Sequence, residues 1–171
     1  DNMDEAIVHY IRLRHGLLLG ERTAEELKIK IGSAYETKSR HSKTKDEDEK
    51  ETDKMAIVRG RDIETGLPKS LRISEVEVRE ALAPVLSQVI EGIAEVAEDA
   101  PPELTADILE HGILLTGGGA LLPGFDRLIV ERTHIPVVVA EDPLTTVVRG
   151  TGKVLEDKEL LSRVKVTGGL Q

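Results

Sequence analysis

The stretch Ile113 to Asp126, ILLTGGGALLPGFD, restricts the fold more than any other part of the chain. Ile113, Leu114, Leu115 and Thr116 are apolar or β-branched, and the run is short enough for a buried strand. Gly117, Gly118 and Gly119 follow at once. An apolar pattern at helical spacing then resumes through Leu121, Leu122, Phe125, Leu128 and Ile129, which predicts a strand, a glycine turn and a helix. Glycine has no Cβ and tolerates positive φ, so such a turn can bring bare backbone against a ligand. Ligands of open α/β sheets gather at the carboxyl ends of strands. Strand-to-helix turns are also glycine-rich for steric reasons alone. This one fits neither G-x-G-x-x-G nor G-x-x-x-x-G-K-[ST], so neither dinucleotide nor P-loop chemistry follows from it.

Downstream, Pro136 to Ala140 forms a second apolar strand. Asp142-Pro143 is expected to cap a helix carrying Leu144, Val147 and Val148, with Gly150 and Gly152 marking close packing. Strand, helix, strand, helix from Ile113 to Leu155 predicts two parallel strands. The tail from Asp157 to Gln171 is charged and ends in glycines, and is expected to fray.

Upstream, Asp1 or Asn2 caps a first helix that runs to His15, carries Met3, Ile7 and Ile11 on one stripe, and stops at Gly16. Leu17 to Leu19 cross a connection. Thr23-Ala24-Glu25-Glu26 has the pattern of a capping box opening a second helix through Leu27 and Ile31 to Gly32. Glu25 and Lys28 stand one turn apart on that helix, the spacing of a solvent-exposed ion pair. From Glu36 to Lys54 no aliphatic residue occurs, and the run passes from basic to acidic; it reads as a charged surface loop. Ala56–Arg59 and Ser70–Ile73 predict a hairpin around Glu64-Thr65-Gly66-Leu67. Ser74-Glu75-Val76-Glu77 is a second capping box. It opens a long helix with Val78, Leu82, Val85, Leu86, Val89, Ile93 and Val96 on a broad apolar face, kinked at Pro84. Pro101-Pro102 ends that segment, and a short helix runs from Pro102 to Gly112.

Aromatic residues are only 2% of the chain, so the core has to be aliphatic. A net charge of −9 repels phosphate backbones, which argues against nucleic acid as a partner. Without cysteine there is no disulfide, zinc thiolate or cysteine nucleophile. No apolar run is long enough to span a bilayer. The opening Asp1-Asn2-Met3-Asp4 is no signal peptide, and its lack of an initiator methionine predicts a fragment. His9, His15, His41, His111 and His134 are scattered, with no metal-ligand spacing among them, and His111 falls in a last helical turn where a cation favours the dipole. No catalytic constellation and no metal site are predicted.

Five segments are matched in order: GERTAEELKIKIGSAY, RGRDIETGLP, PPELTADI, LLTGGGALLPGFDRL and IPVVVAEDPLTTVVRGTGKVLE. With them in view, the chain resembles the MreB family of bacterial actins, which determine rod shape. The resemblance implies an actin-like ATPase (ribonuclease H-like) α/β fold, whose complete members clamp ATP and a divalent metal between two lobes. This chain resembles the second lobe. Residues 1–18 and 74–156 are expected to form a parallel-sheet subdomain, and 19–73 an inserted smaller α+β subdomain carrying the charged loop 36–54, with 157–171 as tail.

By the same resemblance the E-x-x-K helix approaches the nucleoside, placing Glu25, Glu26, Leu27 and Lys28 beside ribose and adenine. The adenosine motif maps onto Gly117, Gly118, Gly119, Ala120 and Leu121. Family members hydrolyse ATP, but their phosphate hairpins and metal-binding aspartate precede anything present here, so Mg2+ is expected to be held by parts outside this chain. The loop 36–54 is longer and more charged than the family's usual turn. Implied partners are further copies in filaments and the cell-shape and wall-synthesis machinery at the inner face of the cell membrane. Two alternatives stand beside this: the ATPase lobe of an actin-fold heat-shock chaperone, which shares both motifs, and a non-enzymatic interaction module.

Overall fold

The structure, a computed structural model, describes residues 2–35 and 54–164. The expected charged loop lies almost wholly outside the described residues, as do the last seven positions of the tail. Helix α1 (Asn2–His15) buries Ile7 and Ile11 on one stripe and ends at Gly16, whose φ of 62° only glycine adopts readily. Leu17–Leu18, expected as plain connection, is a short strand, β1. It pairs antiparallel with β2 (Met55–Asp62), which pairs in turn with β3 (Pro68–Ser74). Two residues have no periodicity to read, so only the partner reveals the strand. Gly60 permits the pairing, since a Cβ there would stand 2.3 Å from the Leu18 carbonyl oxygen.

Helix α2 (Glu21–Ile31) starts earlier than expected, capped by Gly20, and the Thr23–Glu26 box does not form. The Gly20 carbonyl accepts from the N–H groups of Thr23 and Ala24, so Thr23 is already inside the first turn. Glu26 instead pairs with Arg22 at 3.3 Å across an exposed helical turn.

The β2–β3 hairpin has the expected turn, held by one carboxylate. Asp62 Oδ1 accepts the N–H groups of Glu64 and Thr65, each at 2.9 Å, and Lys69 Nζ donates to Asp62 Oδ2 at 2.8 Å. The Lys69 bond first, then the backbone N–H of Thr65, lower the Asp62 pKa from 3.8 to about 2. A depressed carboxylate stabilises the fold above its unfolded pKa and loses that contribution as pH falls through the folded value. Hairpin amide protection should therefore hold above pH 3.8 and decay toward about pH 2. In Asp62→Asn, hydrogen exchange at Thr65 should lose this dependence; an unchanged acid profile would contradict it.

Helix α3 (Glu75–Glu98) opens with the expected capping box between Ser74 and Glu77. His15 Nε2 also lies 2.6 Å from Glu77 Oε1, tying the end of α1 to the start of α3. Burial pushes the Glu77 carboxyl up, but the Ser74 N–H, the Ser74 hydroxyl and His15 outweigh it and hold it below the usual range. Replacing Ser74 by alanine should cost about 1 kcal/mol, read as a lower urea midpoint at unchanged m-value. The helix is continuous through Pro84, which sits on its exposed side. The apolar face is buried only along its first part, at Val78, Ala81, Leu82, Leu86 and Ile90, while Val89 and Val96 stay exposed.

After α4 (Pro102–His111), β4 (Ile113–Leu115) and β5 (Val137–Val139) pair in parallel as expected, Leu114 opposite Val138. The helix between them is broken. Gly118–Leu121 is a single 3-10 turn, and α5 (Phe125–Thr133) begins only after Pro123 and Gly124. Pro123 has no N–H to donate, and Gly124 is left-handed at φ 79° with Tyr35 packed on it, where a Cβ would meet the Tyr35 Cβ at 2.7 Å.

Asp142-Pro143 does not cap a helix directly. It forms a turn in which the Asp142 carbonyl accepts from the Thr146 hydroxyl at 2.7 Å, and α6 (Thr146–Glu156) starts there. Gly150 and Gly152 face open space rather than a close neighbour. Part of the tail is helical where fraying was expected: α7 (Lys158–Val164) is capped by Asp157 Oδ1, which accepts the N–H groups of Glu159 and Leu160. One aliphatic core joins α1, α2, β2, β3, α3 and α5, with Phe125 its only aromatic member among the described residues.

Candidate functional site

The glycine turn is braced from below. Gly117 N–H donates to the Pro143 carbonyl at 2.9 Å, and the Thr116 hydroxyl donates to the same oxygen at 3.0 Å. Within the turn the Gly117 and Gly119 carbonyls accept from Ala120 and Leu122 N–H. Gly117 has φ 83° and ψ 175°, a region open essentially to glycine alone. Its glycine is therefore explained by backbone shape.

Gly118 and Gly119 are different. Neither has positive φ, and a Cβ on either would meet only a distant side chain, Leu144 Cδ2 at 3.8 Å or Met3 Cε at 3.9 Å. At Gly32, Gly60 and Gly112 the same Cβ would collide with backbone oxygen between 2.3 and 2.4 Å away. No contact within the described residues requires glycine at 118 and 119, and both are exposed. What their absent side chains leave is uncovered main chain at the carboxyl end of a parallel strand. Of the other two residues of this motif, Ala120 is buried and Leu121 is exposed.

The second group of expected site residues lies on α2. Glu25 and Glu26 are exposed, and Leu27 is buried in the core. Lys28 does not pair across the turn with Glu25 in the arrangement its spacing suggested. Its Nζ reaches Asp4 Oδ1 on α1 at 2.9 Å, with the two side chains only 15% and 9% exposed. Asp4 stands next to Met3, the residue whose Cε approaches Gly119. The C-terminal end of α2 meets the same region from another side: Ala34 N–H donates to the Pro123 carbonyl at 2.8 Å, and a Cβ on Gly32 would touch Leu122 Cδ1 at 3.3 Å. The E-x-x-K helix and the glycine turn, far apart in sequence, thus converge on the first turn of α1.

A family model for the MreB/Mbl protein matches residues 1–163. The chain belongs to the MreB/Mbl family. The cell shape-determining protein MreB of Escherichia coli (strain K12) is 46% identical over 156 residues, covering 91% of this chain and 41% of that protein. Mbl of Bacillus subtilis (strain 168) is 38% identical over 167 residues, covering 98% of this chain and 46% of that one. The chain therefore spans less than half the length of the curated relatives it matches. Among solved structures, MreB 5 of Spiroplasma citri bound to AMPPNP superposes with a TM-score of 0.79 at 32% identity, over 95% of this chain and 44% of that one. A MamK double helical filament superposes with a TM-score of 0.67 at 22% identity, covering 91% of this chain and 44% of that one, a likeness of fold. The actin-like fold expected from sequence is present, and the MreB/Mbl match sets the chaperone alternative aside.

For an MreB/Mbl chain, three groups around this site were invisible to pattern reading. Asp4 gave no sign that it would be buried against Lys28, since an acidic residue in a first helical turn usually faces solvent. The Pro143 carbonyl braces the glycine turn, although Asp142-Pro143 read only as a helix start. Arg79 reaches from α3 to the Ser33 hydroxyl and the Tyr35 carbonyl, each at 3.4 Å, holding the exit of α2. Among the described residues no cluster of three or more His, Asp or Glu is placed to hold a metal ion. No helix among them is long and apolar enough to cross a membrane.

Proposed function

We propose that this chain supplies the adenosine-binding lobe of an actin-like, cell shape-determining protein that binds ATP and assembles into filaments at the inner, cytoplasmic face of the cell membrane. The observation that carries the reading is the uncovered main chain at Gly118 and Gly119, glycine where the described residues do not demand it. Bare backbone there suits the flat face of a nucleoside and the inner phosphates. The exposed Glu25 and Glu26 carboxylates on the converging helix suit ribose hydroxyls. Lys28 and Leu27 act behind them, one in an ion pair with Asp4 and the other in the core. Binding of AMPPNP and ADP by MreB 5 of Spiroplasma citri supports the ligand class, and the MamK filament supports self-association.

In this reading 1–18 with 74–156 and 19–73 are the two subdomains of the lobe. The β- and γ-phosphates and Mg2+ are held by groups outside it, and wall-synthesis machinery is the partner at the membrane. The test is a titration of the protein containing this chain with a fluorescent ATP analogue, followed by sedimentation with and without ATP. Saturable binding and ATP-dependent pelleting are expected. The absence of both, no binding at millimolar nucleotide and no pelleted assembly, would overturn the proposal.

A further inference from the structure

Leu144 takes no part in the aliphatic core. The sequence reads it as the first apolar position of a helix, but the structure leaves it ahead of α6, on the turn from Asp142 to Thr146. There it is 66% exposed, while Pro143 before it is buried. A lone exposed leucine is ordinary on a protein surface. This one differs in how firmly it is held and in what it stands beside.

The turn that carries Leu144 is fixed on both sides. The Pro143 carbonyl accepts from the Gly117 N–H at 2.9 Å and from the Thr116 hydroxyl at 3.0 Å, which ties the peptide between residues 143 and 144 to the glycine turn. On the other side the Asp142 carboxylate accepts from the Thr145 hydroxyl, and the Asp142 carbonyl from the Thr146 hydroxyl. Leu144 therefore keeps its place relative to Gly118 although its side chain stands largely in solvent.

A Cβ on Gly118 would lie 3.8 Å from Leu144 Cδ2, an ordinary van der Waals distance. A ligand atom resting on the bare Cα of Gly118 occupies the position of that missing methyl. It touches Leu144 as soon as it touches the backbone. Leucine has neither charge nor donor, so a phosphate placed there would shed water and gain no partner from it. The flat face of a base has apolar surface to bury, and leucine buries its own against it.

We infer that Leu144 is a nucleoside-contact residue: its side chain is an apolar wall for the base, which lies over Gly118, and the inner phosphates meet the turn away from this wall. The inference rests on the proposed adenosine-binding reading and adds a residue outside both sequence motifs.

The experiment is competition of unlabelled ATP and ADP against the fluorescent analogue, with the protein containing this chain and its Leu144→Ala, Leu144→Met and Leu144→Lys variants. Melting curves without nucleotide show that each variant is folded, and they should stay close to the parent's because the side chain is exposed. Leu144→Ala should weaken ATP and ADP by the same factor, about five- to tenfold, since the lost contact is with the base they share. Leu144→Met, similar in volume and apolarity, should bind within about twofold of the parent. Leu144→Lys should weaken both nucleotides at least as much as alanine does. If lysine instead tightens binding, and ATP gains more than ADP, the group over Gly118 is phosphate and the inference is overturned. An equal loss in the alanine and methionine variants would trace the effect to the turn rather than to an apolar contact, and overturns it too. If Leu144→Ala binds like the parent while Gly118→Ala binds weakly, Leu144 is no wall but the adenosine-binding reading stands. If the parent binds no nucleotide, both fall together.

Discussion

Changing Gly118 or Gly119 to alanine is expected to lower nucleotide affinity by about ten- to a hundredfold while the melting temperature holds or rises. The added methyl has room within the chain, because its nearest neighbours are side-chain carbons at 3.8 and 3.9 Å. Alanine is also the better helix former, favouring the 3-10 turn slightly. A ligand resting on that backbone has no such room, and overpacking of one methyl costs about 1–3 kcal/mol, which sets the expected range. Gly112→Ala provides the contrast. Its φ is 75° and its Cβ would lie 2.4 Å from the Pro136 carbonyl oxygen, so that variant should lose stability whether or not nucleotide is present. Affinities and melts measured side by side separate the two outcomes. Unchanged affinity in both Gly118→Ala and Gly119→Ala would remove the nucleotide from this turn.

Lys28→Met is expected to destabilise the fold by about 3 kcal/mol, the usual range for removing one member of a buried ion pair. Asp4 is 6% exposed and would be left charged between α1 and α2 without Lys28. Asp4→Asn should cost less, since the remaining lysine can turn toward solvent on its flexible stem. The double variant should recover much of the loss, giving a large coupling energy in a double-mutant cycle. Urea unfolding of the four proteins measures it, and single costs that are small and simply add would show that the pair contributes little. The result also bears on the site. Met3, beside Asp4, packs toward Gly119, so loosening the α1–α2 junction should weaken nucleotide binding without removing a direct contact.

Much of the architecture was legible because it rests on local signals. The Ser74–Glu77 box, the hairpin around Glu64–Leu67, the stops at Gly16 and Gly32 and the parallel pairing of Ile113–Leu115 with Val137–Val139 all follow from residue type at short spacing. Helix beginnings were less legible. At α2, α5 and α6 the observed start differs from the expected one, because a capping side chain competes with whatever carbonyl or glycine the neighbouring turn offers. The Gly20 carbonyl displaced Thr23, and the left-handed Gly124 under Tyr35 ended the glycine turn before α5 could begin.

The candidate site divides the same way. Glycine at 117, 118 and 119 and the E-x-x-K spacing on α2 are properties of the sequence by itself, as is the family they resemble. Only the tertiary structure decided which of these residues are available. It withdrew Leu27 into the core, turned Lys28 onto Asp4 and left Glu25 and Glu26 in solvent. It also separated Gly117, whose backbone demands glycine, from Gly118 and Gly119, whose surroundings do not. Local pattern sets what a residue can do, but burial and charge pairing depend on segments far away in sequence, and these are fixed only when α1, α2 and the β4 turn pack together.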